Sequence, residues 1–258
     1  DRSPSRGLGD VYKRQGIPCV TIDARTIGLG STSASTSLLQ YEIDVPLYRL
    51  TEMIGKENAE RAYRLCGDAI LELERITYDV GIKYFERKKS LYYAAYKKDV
   101  TWLKREYEAR KTANFAVTWL EPEEVKEQYG FDSYGGILSE LAAATNAYML
   151  AHCLLRHKYE EGTIFDRSPV TDIKHTIRGV TLTTENGYTL KAKKLVYAVG
   201  YEVVSFIQKD IVKLLSTYAV VSEQYNERNF WKDEVLIWNT AAPYLYMRTT
   251  ADNRVLVG

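Results

Sequence analysis

Apolar residues recur along this chain with two different periods, and the switches between them mark out its elements. Ile17 to Ile22 is a short apolar run bounded by Gly16 and Asp23, which predicts a buried parallel strand. Beyond Asp23 comes a segment built almost wholly of Gly, Ser, Thr and Ala. Pro46 to Ile54 places apolar residues at 47, 50, 53 and 54, a short helix that Gly55 breaks. From Lys56 a helical period runs through Ala59, Tyr63, Cys66, Ile70, Leu73, Ile76 and Val80, with Glu60, Arg64, Asp68, Glu72 and Arg75 between them, until Gly81.

Phe85 to Tyr96 reads as strands around a Lys-rich turn. A second amphipathic helix is predicted over Lys98–Phe115, a strand over Val117–Leu120, and a helix over Glu123–Tyr129 opened by Pro122 with acids in its first turn. Ile137–Leu141 is strand-like and Thr145–Glu161 helical. Short strands follow at Thr163–Phe165, Val170–Thr176, Gly179–Thr184 and Tyr188–Ala192, the last two joined by a hairpin turn at Glu185-Asn186-Gly187. Leu195–Gly200 reads as a buried parallel strand ending on glycine, and Phe206–Lys213 as a helix. Leu215–Ser222, Leu236–Thr240, Tyr244–Thr249 and Val255–Val257 complete the pattern, with Asp252-Asn253 as a turn.

Composition narrows the class. The chain has 258 residues, 45% of them hydrophobic, enough for one large or two intimately packed domains. Its 35 basic and 34 acidic residues nearly cancel, so charge offers no argument for a nucleic-acid partner. Cys19, Cys66 and Cys153 are odd in number and scattered, which fits a reducing, cytoplasmic setting and neither a disulfide framework nor a zinc site. His152 and His157 are five positions apart and so do not share a helix face as metal ligands would; no metal is expected. No apolar run approaches the roughly 20 residues of a membrane span.

Three features carry candidate chemistry. A carboxylate at a strand end, as at Asp23, can accept hydrogen bonds from ribose hydroxyls, and the small-residue segment after it lets backbone amides approach a pyrophosphate. An ordinary strand and polar loop is the alternative. Gly200 at the end of a strand would let backbone pass close to a bound nucleotide. Tyr244, Tyr246 and Arg248 alternate and so project from one strand face. A guanidinium with two phenols suits a carboxylate, and a cation–π cluster is the alternative.

In order along the chain, GIPCVTIDARTIGLGSTSASTSLLQYEID, LSELAAATNAYMLAHCLLRHKYEEGTIFDRSPVTDI, KKLVYAVGYE and PYLYMRTTADNRVLVG resemble FAD-dependent oxidoreductases of the D-amino acid oxidase superfamily, whose members include glycine oxidase. The resemblance covers Gly16 to Gly258. It implies an α/β (overall α+β) fold, with a discontinuous Rossmann-like FAD-binding domain and an inserted substrate domain containing a largely antiparallel sheet. Residues 16–80 and 136–205 are assigned to the first, 81–135 and 206–258 to the second. Residue by residue, Asp23 stands where the family binds the adenosine ribose. Gly30, Ser31, Thr32, Ser35 and Thr36 follow the pyrophosphate and ribityl chain, and Leu38, Leu39 and Gln40 approach the flavin ring. Val170 meets the adenine, Ala198 and Gly200 border the cofactor, and Arg248 holds a substrate carboxylate with Tyr244 or Tyr246 assisting. The implied reaction is hydride transfer from the α-carbon of a small amino acid, or a related amine or hydroxy acid, to flavin. Glycerol-3-phosphate dehydrogenase-like chemistry is the alternative, the electron acceptor stays open, and no side-chain acid or base is identified.

Two departures from the family pattern stand out. Its first strand and G-x-G-x-x-G loop have no counterpart in the sequence, and neither has its C-terminal flavin-contacting loop and helix. Residues 1–15 lack any period, and Asp10–Gln15 resembles a translated transposon-end adapter, so a non-native or disordered tail is expected there, on a fragment truncated at both ends and inactive by itself.

Overall fold

The computed structural model describes residues 17–79, 81–158, 163–205 and 215–258. The tail 1–15 and the helix expected over Phe206–Lys213 lie outside them. In chain order the elements begin with β1 (Thr21–Ile22), β2 (Leu38–Gln40), α1 (Leu47–Ile54), α2 (Lys56–Asp79), β3 (Phe85–Tyr93) and α3 (Val100–Thr112). Next come β4 (Val117–Leu120), α4 (Pro122–Tyr129), β5 (Gly136–Thr145), α5 (Ala147–Lys158), β6 (Ile164–Phe165), β7 (Val170–Thr176), β8 (Gly179–Thr184) and β9 (Thr189–Ala192). The last strands are β10 (Val220–Val221), β11 (Leu236–Asn239), β12 (Tyr246–Thr249) and β13 (Val255–Val257). Contacts gather these into two compact units, Thr36–Asn146 with Thr217–Gly258 and Asp1–Ser35 with Ala147–Ser216.

The larger unit is built on a sheet of order β10-β13-β12-β11-β3-β5-β2, with β4 also paired to β5. Its ladders are antiparallel except β11 against β3, which is parallel. The sheet curls, so that Leu38 of β2, Ala142 and Ala144 of β5 and Leu236 of β11 form one apolar cluster. Helix α2 buries a single stripe, Ala59, Tyr63, Gly67 and Ile70, against Tyr41 and Leu47. Helix α4 begins with Pro122 inside a capping box between Glu121 and Glu124 and ends at Gly130 in the left-handed region.

Helix α3 turns Leu103, Glu106 and Arg110 inward. The Arg110 guanidinium bonds Glu106 at 2.7 Å and Glu42 at 3.1 Å, ringed by Tyr41, Tyr63 and Tyr92. Glu106 also accepts the Tyr48 backbone N–H at 3.1 Å, capping helix α1, whose N-terminal flank is Pro46 with no side-chain cap of its own.

Several boundaries differ from expectation. Phe85–Tyr93 is one continuous strand, not strands around a turn; the lysines sit where the β3–β5 register shifts between Lys88 and Ser90. Lys88 there is nearly buried and is neutralised by Glu86 and Glu234, while the more exposed Lys89 pairs with Glu140. Strand β5 runs on to Thr145, and the helix expected from that residue starts at Ala147. The strand expected over Leu215–Ser222 is reduced to Val220–Val221, the two residues that β13 pairs.

In the smaller unit β1 and β6 pair in parallel, Thr21 with Ile164 and Ile22 with Phe165. The strand expected over Ile17–Ile22 is thus only two residues long, and Ile17 and Val20 are exposed, because a ladder extends no further than its partner. β7, β8 and β9 form an antiparallel sheet whose β8–β9 turn uses Gly187 at φ 81°. Leu195–Gly200 is not a strand: no described residue ladders with it, and Val196, Tyr197 and Val199 are exposed. Among the described residues no helix is long and apolar enough to cross a membrane.

Candidate functional site

The smaller unit gathers its candidate residues at the carboxyl ends of β1 and β6. Asp23 N–H bonds Phe165 O at 2.9 Å, and Ser168 N–H bonds Asp23 O at 2.8 Å, which locks the two strand exits side by side. Val170 opens β7 two positions past Ser168. The Asp23 carboxylate accepts the Arg25 backbone N–H at 2.8 Å through Oδ1, turning the chain into the small-residue loop, and Oδ2 has no partner among the described residues. Ligands bind beyond the carboxyl ends of parallel strands, and a free carboxylate oxygen there is an acceptor suited to ribose hydroxyls. These residues fit the adenosine end of FAD.

The loop itself is braced by helix α5. Gly28 has φ 80°, and a Cβ there would stand 2.9 Å from the Tyr148 ring. His152 Nε2 lies 3.0 Å from Ile27 O, and its ring packs on Tyr148 at 4.4 Å. The sequence places His152 on a helix without a metal partner, and its part with Tyr148 in bracing the loop shows only in the fold, their spacing of four on one helix face being the sole local signal. Gly30 lies against the Arg25 guanidinium, which pairs with Glu202 at 2.8 Å. Glu202 belongs to the 3-10 turn Gly200–Ser205, so this ion pair brings the Gly200 turn to the loop. Ser31 and Ser35 are exposed and Thr32 partly so, with Ser35 N–H bonded to Thr32 O at 3.4 Å. Ala198 is exposed in the irregular stretch before Gly200.

The larger unit holds the other candidates on the curled sheet. On β12, Tyr246 and Arg248 share a face, while Met247 packs into the core with Leu91 and Ile237 on the opposite one. Tyr244 stands just outside the strand, its ring 6.0 Å from that of Tyr246. The Arg248 guanidinium donates to three backbone carbonyls: Thr36 at 2.6 Å, Thr249 at 2.9 Å and Thr145 at 3.5 Å. No carboxylate pairs with it among the described residues, and it sits over neither tyrosine ring. Burial holds its pKa below the ordinary arginine range, with Glu86 and Asp252 opposing at longer reach. The neighbouring Ser37 is buried at φ 55°, a costly conformation for serine, and its carbonyl accepts the Thr145 N–H at 3.3 Å.

Leu38 and Gln40 lie on one face of β2, where Gln40 donates to Ser90 Oγ at 2.8 Å. Leu39 points to the other face and packs against the helix-covered cluster of Tyr41 and Leu47. The structure therefore joins Arg248 to the Thr36 carbonyl within this unit, a link between residues expected to serve substrate and cofactor.

Among solved structures, the chain is similar in fold to L-proline dehydrogenase from P. horikoshii, at 14% identity with a TM-score of 0.74, covering 97% of this chain and 65% of that one. Glycine oxidase from Geobacillus kaustophilus matches at 20% identity and TM-score 0.64, covering 92% and 63%. L-amino acid deaminase from Proteus vulgaris matches at 12% and 0.69, covering 96% and 56%. The chain thus spans less than two thirds of the length of each. A search of curated protein sequences gave no match. The model of the DAO family, described as FAD dependent oxidoreductase, matches residues 11–258, beginning inside the aperiodic tail. The chain belongs to that family of FAD-dependent oxidoreductases.

Proposed function

We propose that this chain is the greater part of a flavoenzyme that oxidises a small amino acid, or a related amine or hydroxy acid, at its α-carbon. The observation that carries this reading is Arg248: a partly buried guanidinium, fixed by three carbonyls, with no acid to neutralise it among the described residues. A desolvated cation without a counter-charge costs free energy that a bound carboxylate recovers, and the planar fork favours bidentate binding. Tyr246, on the same face, and Tyr244 supply phenol donors for the second carboxylate edge.

In the smaller unit, Asp23 would hold the ribose of FAD. Gly30, Ser31, Thr32 and Ser35 would follow its phosphates, with Val170, Ala198 and Gly200 at the border. In the larger unit Thr36, Leu38, Leu39 and Gln40 would serve the flavin end. Bound FAD would supply the acceptor for a hydride from the substrate. The chain's own residues bind the carboxylate, fix the position of the adjoining α-carbon, and require no side-chain base to do so. The solved relatives named as proline dehydrogenase, glycine oxidase and amino acid deaminase support the substrate class.

The experiment is anaerobic mixing of the whole flavoenzyme, supplied with FAD, with proline, glycine, larger amino acids, lactate and glycerol 3-phosphate, following bleaching of the oxidised flavin. Bleaching by an amino acid or hydroxy acid is expected. Bleaching by glycerol 3-phosphate alone would replace the reading.

A further inference from the structure

We propose that Trp238 determines specificity, as a preset aromatic platform that selects carboxylate substrates by the apolar group they carry. The position of the carboxylate in this proposal rests on the reading of Arg248 given above. On β11, Trp238 pairs directly with Tyr246 of β12, which places it on the same sheet face as Tyr246 and Arg248. It stands diagonally across from Arg248, a separation of about 7–8 Å between such positions. That is the reach from the carboxylate of an amino acid to the end of its side chain.

Trp238 is held from three directions. Its ring lies flat on Tyr92, centroids 3.6 Å apart at 4°. Its Nε1–H donates to the buried Ser90 Oγ at 3.0 Å, a hydroxyl that also receives Gln40. Tyr244 meets it edge-on at 6.3 Å and 76°. Its rotamer is therefore fixed before any ligand arrives, and its one polar atom is already satisfied. Trp238 stays partly exposed, and with Nε1 already used its ring offers no hydrogen-bonding atom to a substrate side chain. Tyr92 beneath it is buried, so the platform cannot sink to admit a bulkier polar group.

The test is calorimetric titration of the whole chain with two plain carboxylates, acetate and phenylacetate. Phenylacetate is expected to bind roughly tenfold more tightly or better. Trp238→Ala should bring the two acids to within about threefold while leaving acetate within about twofold of its original Kd. Trp238→Phe keeps the stack on Tyr92 and should fall between, so the outcome does not depend on the alanine variant folding. The phenylacetate-dependent change in tryptophan emission should vanish in Trp238→Phe. Equal weakening of both acids by the Trp238 variants, or an emission change that survives Trp238→Phe, overturns the proposal. Arg248→Ala separates the two readings: it should weaken both acids alike. If it leaves both unchanged while the Trp238 variants still abolish discrimination, the carboxylate reading falls and the platform stands. If neither acid binds, both are overturned.

Discussion

Arg248 shows how much one residue's partners decide about its role. Its alternation with Tyr246 can be read from the sequence, but Thr36 and Thr145, which fix its guanidinium, are 212 and 103 residues away. Arg248→Lys keeps the charge and loses the fork, so KM for a carboxylate substrate should rise with little change in kcat. Arg248→Ala should cost about 2–4 kcal/mol of substrate binding. Steady-state kinetics on a reconstituted enzyme check this, and unchanged KM in both variants removes Arg248 from the site. Glu42 makes a different residue-scale argument. It is buried beside Arg110, and its Oε2 has no hydrogen-bond partner among the described residues. Burial raises its carboxyl above the usual carboxylate range, with Arg110 and Ser139 pulling the other way. A carboxyl raised on folding contributes stability that is present below its unfolded pKa and lost as pH climbs through the folded value. Glu42→Gln removes that loss, so the variant's melting temperature should gain on the wild type as pH rises above about 4.5. A gap that narrows over the same range contradicts the assignment.

At the scale of elements, legibility followed locality. Helices α2 and α4 were readable because period, caps and breakers lie within the segment itself. The inward face of α3 was not, because Glu106 and Arg110 look like solvated charges until Glu42 and Tyr48 are brought to them. Leu195–Gly200 has strand composition, but a strand exists only beside another, and the described residues supply none. The small-residue loop was readable as a loop, yet its brace by Tyr148 and His152 was not. That brace is testable with two glycines that differ in surroundings. Gly28 and Gly130 both have positive φ, at 80° and 81°, but a Cβ at Gly28 meets Tyr148 whereas at Gly130 it meets open space. Each alanine substitution pays about 1 kcal/mol for the left-handed backbone. Gly28→Ala should cost about 1–2 kcal/mol more by chemical denaturation and increase proteolytic cleavage within residues 24–34. Equal costs at the two sites would show that α5 does not brace the loop. His152→Phe, which withdraws the hydrogen-bonding nitrogen from Ile27 O, should raise cleavage in the same segment.

At the scale of the whole molecule, the candidate chemistry divides between two units. Asp23 and the loop belong to Asp1–Ser35 with Ala147–Ser216, and Arg248, Tyr246 and Trp238 to the other. The order of short motifs revealed the family, but the division at Ser35–Thr36 falls inside the small-residue segment, where composition is uniform and nothing local marks it. This division gives a prediction that separates cofactor from substrate. Whatever binds only the folded state stabilises it by RT ln(1 + [L]/Kd), about 2.7 kcal/mol at a hundredfold excess over Kd. FAD should therefore raise the melting temperature of the chain, and Asp23→Ala, which deletes the carboxylate proposed for the ribose at the end of β1, should reduce that rise. Arg248→Ala should lower the starting melting temperature, because three carbonyls lose their donor, yet leave the FAD-induced increment as it was. Thermal melts of the three proteins across an FAD series distinguish the cases. A full increment in Asp23→Ala places the ribose elsewhere, and a lost increment in Arg248→Ala means that the guanidinium supports the cofactor rather than the substrate. No increment in the wild type means that the residues of this chain do not by themselves make a flavin site.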